Sequence, residues 1–188
     1  VESEPVDARG ESGAGRSDPA AAGSRAGPGS GTGCGAEGIA VIAKITRGSN
    51  PGNIGAYLHG PGHANEHFYE RNGGRYAGGV VVGGNVFVTG DADEKAWVKE
   101  MRAAMRTRPE ITKPIWQASL RNTVEDRRLT DAEWAQAGQT FAESMGFAEH
   151  PWVMVRHADD HVHVVVCRVS DEGTVWHGRN DRRAAQSA

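Results

Sequence analysis

Cysteine is nearly absent from this chain of 188 residues: Cys34 and Cys167 are its two thiols. One lies in a Gly- and Ala-rich stretch and the other in a valine run, so no disulfide framework is available and a reducing, cytoplasmic setting fits them. No run of about 18 apolar residues occurs, and the opening residues lack the apolar core of a secretory signal, so a soluble protein that is neither exported nor membrane-bound is expected. The catalytic signatures that would name a reaction outright are also missing. There is no H-E-x-x-H helix, no G-x-S-x-G elbow, no Gly-rich phosphate loop closing on Lys-Ser or Lys-Thr, and no Cys-x-x-Cys pair. Nor is there an excess of one charge in the body. Of 24 acidic and 21 basic residues, six and three fall before residue 41, leaving 18 of each beyond it. A neutral body makes no case for nucleic acid by total charge, and any such case rests on local patches.

Residues 1–40 lack side chains able to build a core. Of these forty positions, 26 are Gly, Ala, Ser or Pro, and apolar burial of that size cannot offset the entropy of ordering the chain. A disordered tail is therefore expected there, with a single α+β domain over residues 41–188.

The body alternates between the two periodicities. Residues 41–46, VIAKIT, read as a strand; RGSNPGN breaks it, and residues 53–59, NIGAYLH, form a short helix. GVVV and NVFVTG, split by Gly83, Gly84 and Asn85, predict a hairpin. Residues 93–107 turn helical, with Trp97, Met101, Ala104 and Met105 on one face and Lys95, Lys99, Arg102 and Arg106 on another. KPIWQASLRN returns to a strand, placing Trp116, Ala118 and Leu120 on one side and Gln117, Ser119 and Arg121 on the other. Thr130 and Glu133 make a capping box for a helix whose expected buried stripe is Trp134, Ala137, Phe141 and Met145, with Gly146 as its C-terminal stop. Two strands, residues 151–156 and 161–169, joined by Ala-Asp-Asp, predict a closing hairpin. The order implies a central, mainly antiparallel sheet covered by helices.

That last hairpin concentrates the chemistry. In VRHADDHVHVVVCRV, His161 and His163 project from one strand face while Val162, Val164 and Val166 point to the other. His157 can stand opposite His161 across the turn. Three neutral imidazoles converging on one point can hold a divalent metal and leave other positions open, and Asp159 or Asp160 can orient a ring through its second nitrogen. The competing reading is a half-exposed strand that carries histidines for solvation alone.

The His161-Val162-His163 triplet matches the histidine-hydrophobe-histidine motif of relaxases and rolling-circle replication enzymes. Together with VIAKITRGSNPGNIGAYLHGPGHANEH (residues 41–67) and DDHVHVVVCRVSDEGTVWHGRND (residues 159–181), it resembles the mobilisation relaxases of actinobacterial plasmids and integrative elements. The resemblance implies a metal-dependent single-strand endonuclease that nicks an origin of transfer through a tyrosine near the N-terminus, leaving a 5′ phosphotyrosyl link. It implies an HUH relaxase-like fold with a central antiparallel sheet, His157, His161 and His163 as ligands of Mg2+ or Mn2+, and Asp159, two residues after the first histidine, in support. Its implied partners are single-stranded origin DNA, accessory mobilisation proteins and a coupling protein. Relatives of this kind commonly begin where Val41 stands and continue past a point equivalent to RRAAQSA. Residues 1–40 are thus expected to be an upstream extension, and the chain a truncated form.

Three tyrosines are candidates for the nucleophile. Tyr57, on the short helix after the first strand, occupies the position the resemblance implies, whereas Tyr69 and Tyr76 fall in what reads as a Gly-, Asn- and Arg-rich loop. A phenol is a weak nucleophile at its ordinary pKa near 10, so a metal or base close by is required. Lys95, Lys99, Arg102 and Arg106 form a stripe suited to a phosphate backbone, and Arg179, Arg182 and Arg183 beside Trp176 combine charge with a stacking surface for single strands. Two other readings remain. A DNA-binding remnant would bind oligonucleotides in a salt-dependent way without cutting them, and a metal-dependent small-molecule hydrolase would not need Tyr57.

Overall fold

Alternation along a single strand organises the molecule. In the computed structural model, which describes residues 42–86, 90, 92–122 and 127–185, the elements run β1 (Ile42–Gly48), α1 (Pro51–His59), β2 (Phe68–Arg71), β3 (Gly74–Ala77), β4 (Val80–Gly84), α2 (Lys95–Met105), β5 (Ile115–Arg121), α3 (Asp131–Met145), β6 (Trp152–Arg156), β7 (His161–Cys167) and α4 (Asp181–Ala185). Five strands form one sheet in the order β1-β5-β7-β6-β4, each neighbour antiparallel, and β2 pairs with β3 apart from it. This is the α+β architecture read from the sequence. The expected tail and Cys34 lie outside the described residues, as do Phe87, Val88 and Thr89 of the second arm of the GVVV/NVFVTG hairpin; the first arm, β4, pairs with β6.

Because β7 lies at the centre, both its faces are covered. Val162, Val164 and Val166 join Trp116, Ala118 and Leu120 of β5 and Trp152 and Met154 of β6 beneath Trp134, Phe141 and Met145 of α3. On the other face Val165 and Cys167 pack with Ile115, Val153 and Val155 against Leu58 of α1 and Trp97, Val98, Met101 and Ala104 of α2. Each large side chain so buried contributes about 1.5–3 kcal/mol, which sets the register of β7 firmly, since a slip of one residue would exchange its two faces. Cys167 belongs to this core, and burial pushes its thiol up to about 11, so it is an inert packing group.

Local chemistry sets the element ends. Asn50 caps α1 by accepting the Gly52 N–H at 2.9 Å, with Pro51 in the first helical position, so the helix begins two residues before the expected Asn53. The Thr130–Glu133 capping box forms, and Gly146 ends α3 in the left-handed region with φ of 74°. The expected stripe on α3 needs one correction: Ala137 is exposed and Gly138 is buried in its place. A Cβ on Gly138 would stand 2.4 Å from Met154 Cε, so an alanine there would require the Met154 side chain to shift. The Tyr69 and Tyr76 segment is a hairpin, not a loop: Asn72 and Gly73 both adopt positive φ, 53° and 73°, and turn β2 into β3.

Candidate metal centre and nucleophile

β6 and β7 bring three histidines together at one end of the sheet. Val155 pairs with His163 and Arg156 with Val162, so His157, next along, turns back over His161. One ring nitrogen from each of His157, His161 and His163 lies within 4.8 Å of the others, close enough to share a cation at bonds of about 2.1 Å after small side-chain rotations. The ring of His157 is 4.6 Å from that of His161 and 4.6 Å from that of His163. His157 is only 3 % exposed, yet neither of its ring nitrogens has a hydrogen-bond partner. A buried polar atom without a partner costs about 1–3 kcal/mol, and here two share one ring. A cation on either nitrogen would relieve that cost, so the donor set fits a divalent metal.

Burial keeps the His157 and His163 rings neutral and ready to bind. Burial, with the neighbouring His163, His67 and His161 adding to it, drives His157 down to about 2. Burial likewise brings His163 down to about 3, with His161, His67 and Arg121 contributing. On the adjoining strand Ser119 pairs with His163 and Arg121 with His161, the polar face of β5 expected from its alternation. The Gln117 amide nitrogen lies 2.5 Å from Nδ1 of His163. Rotating that amide by half a turn would offer its oxygen to an Nδ1–H, the tautomer that leaves Nε2 for a cation.

The two aspartates of the turn separate in role. Asp160 Oδ1 lies 2.6 Å from Nδ1 of His161 and its other oxygen 3.1 Å from Arg121, so it is the carboxylate that orients a ring. Asp159 accepts from Arg128 at 2.5 Å and stands 4.0 Å from Arg156.

Tyr57, in the second turn of α1, is 38 % exposed and faces this cluster. Its ring lies 6.4 Å from that of His157, 4.6 Å from that of His67 and 5.6 Å from that of His63. α1 is held in place by His59, which donates from Nδ1 to Gly79 O at 2.9 Å and accepts the Trp97 indole N–H at Nε2, 3.1 Å away. Tyr69 is buried and stacks on Tyr76 across the hairpin, ring centres 5.4 Å apart.

Sequence reading overlooked His67. It is 2 % exposed, and its ring lies 3.9 Å from that of His157. The signal was present in GPGHANEH, where Asn65 and Glu66 lead into a histidine ten positions after Tyr57, but no periodicity links that loop to the β6–β7 turn.

The expected DNA-contacting residues divide between the two faces. Lys95, Lys99, Arg102 and Arg106 line a groove of about 470 Å³ together with Gly52 and Asn53 of α1. They thus flank the N-terminal end of the helix that carries Tyr57. Arg179, Arg182 and Arg183 lie on or beside α4, which packs on α3 and β1, away from the histidine face. Trp176 is not an open stacking surface: its indole N–H donates to Met145 O at 3.0 Å, and its ring packs edge-on against Trp116 and Phe147. Among the described residues no helix is long and apolar enough to cross a membrane.

Comparison with curated proteins and with solved structures finds no match for the chain. Residues 76–188 match the family described as "Relaxase: MobA/VirD2-like, nuclease domain". The matched span contains β4 to α4 and all three converging histidines, and it begins after Tyr57. With more than half its length in that match, and with its antiparallel sheet and histidine cluster in place, the chain belongs to the MobA/VirD2-like relaxase nuclease domains.

Proposed function

We propose that this protein nicks single-stranded DNA at an origin of transfer by tyrosine transesterification, in the service of conjugative mobilisation. Tyr57 is the nucleophile, and His157, His161 and His163 hold a divalent cation. The observation that carries this reading is a buried imidazole, His157, with both nitrogens unpartnered, inside a cluster of histidine rings beside one of the two exposed large apolar side chains among the described residues. A solvating role for the histidines does not account for burial without hydrogen bonds.

In the proposed step the Tyr57 Oη–phosphorus bond forms as the phosphorus–O3′ bond breaks. The phenolic proton passes to solvent and the freed 3′ oxygen takes one up, which leaves a 5′ phosphotyrosyl link whose reversal reseals the strand. Bound at the histidines, the cation supplies stabilisation of charge developing on the phosphate oxygens. An all-imidazole donor set suits Mn2+ better than Mg2+, which favours oxygen ligands in an octahedral arrangement. Of the two aspartates, Asp160 orients the His161 ring, and Asp159 supports the site by bracing the turn through Arg128 and Arg156. Lys95, Lys99, Arg102 and Arg106 carry backbone phosphates toward α1. Accessory mobilisation proteins and a coupling protein complete the assembly.

The test is incubation with Mn2+ and single-stranded oligonucleotides from the origin region, followed by denaturing electrophoresis and mass mapping of any shifted band. An adduct on Tyr57, lost in Tyr57→Phe while Mn2+ binding persists, is the expected result. An adduct that survives in Tyr57→Phe would move the nucleophile elsewhere, and salt-dependent binding with no cleavage under any divalent ion would make the protein a DNA-binding remnant.

A further inference from the structure

We infer that His67 is a positioning residue that holds the nucleophile helix in register with the metal face. Its Nδ1 lies 3.1 Å from the carbonyl oxygen of Tyr57 and 3.2 Å from that of Gly60. Both partners are acceptors, so Nδ1 carries a proton. These carbonyls belong to the last turn of α1 and its cap, where helical oxygens have no partner within the helix. One side chain thereby takes up two of them, one being that of Tyr57 itself.

The same ring touches both halves of the reaction centre. Tyr57 meets it edge-on, with centroids 4.6 Å apart and planes at 81°, and His157 lies 3.9 Å from it on another side. The backbone closes the connection. The His67 N–H donates to Pro61 O at 3.1 Å, the Gly78 N–H to His67 O at 3.0 Å, and the N–H of the next residue, Phe68, to His157 O at 3.0 Å. The main-chain bonds would form with any residue at this position, whereas the two Nδ1 contacts require the imidazole. Here side chain and main chain together tie the residue that attacks to a residue that holds the cation. Misplacing a reacting group by about 1 Å can cost on the order of 100-fold in rate.

This role rests on the proposed function of Tyr57, and two variants separate its parts. His67→Phe keeps the bulk and removes the donor; His67→Asn keeps a donor near the Nδ1 position and removes most of the ring. Single-turnover adduct formation at saturating Mn2+ and DNA should fall roughly 100-fold in His67→Phe with oligonucleotide affinity unchanged, and His67→Asn should recover most of that loss. In protein free of metal and DNA, amide hydrogen exchange at the end of α1 should quicken in His67→Phe and stay near wild type in His67→Asn. Wild-type rates in His67→Phe, or an Asn variant as slow as the Phe variant, would overturn the inference. If the wild-type protein forms no adduct at all, the proposed function fails, and exchange alone decides the clamp: equal exchange in both variants overturns it. His67→Gln, whose donor sits one bond too far, replaces the Phe variant should that one not fold.

Discussion

One sheet presents two faces built on opposite rules. Toward α3, β7 contributes Val162, Val164 and Val166 to a layer closed by Trp116, Trp134, Phe141, Phe147 and Trp152, in which Phe147 meets Phe141 and Trp152 edge to face. Toward α1 and α2 the same strand is apolar only at Val165 and Cys167 and gives way to His163 and His161, beside Gln117 and Ser119. The first face is closed mainly by packing, with the Trp116 and Trp176 indoles donating to Asp181 and Met145 and the Trp134 indole nitrogen left without a partner. The second leaves His157 buried and without hydrogen bonds, a cost a fold bears where a ligand is to arrive. The aromatic face supplies rigidity, and the histidine face uses it to hold three rings at a fixed spacing.

Acid should expose the difference most strongly. Folded-state values near 2 for His157 and 3 for His163 lie below the ordinary 6.5, so the unfolded chain binds more protons than the folded one between those limits. Stability is therefore full above about pH 6.5 and falls as the pH drops through it, ahead of the carboxylates, whose ordinary values lie near 4. The urea midpoint of metal-free protein should decrease from pH 7.5 to 5, and much less so in the His157→Gln/His163→Gln double variant. A flat midpoint in the wild type would break the contrast between the faces.

Next in size is the aromatic face. Trp134→Ala should cost about 3–5 kcal/mol in denaturant unfolding, whereas His161→Ala, which gives up the Asp160 contact, should cost metal-free protein only about 1 kcal/mol. Equal losses would show that both faces are ordinary core. Mn2+ at 100 times its dissociation constant should then stabilise the wild type by about 2.7 kcal/mol and His161→Ala hardly at all, as read from thermal melts with and without chelator. Thr130→Ala, which removes the α3 cap, should cost about 1 kcal/mol and leave Mn2+ binding unaltered.

Much of this contrast is legible in the sequence, because alternation on β5 and β7 sorts residues to faces without knowledge of the partners. The converging histidines follow from the same rule plus a short turn. What escapes it depends on approach between distant segments. Gly138 and not Ala137 faces Met154 in the core, and helix periodicity alone does not distinguish the two neighbours. The β2–β3 hairpin is carried by Asn72-Gly73, a strong turn pair obscured by its polar flanks. His67 reaches the centre through carbonyls of α1 that no side-chain pattern reveals, and the choice of Asp160 over Asp159 depends on which way each residue of the turn points.

The most direct test of the central claim is anomalous scattering from crystals soaked in Mn2+. A single strong peak bonded to one nitrogen each of His157, His161 and His163 at about 2.1–2.2 Å is the predicted result. A peak on the carboxylates of Asp159 or Glu66 with the histidines unengaged, or no peak at millimolar Mn2+, would contradict it.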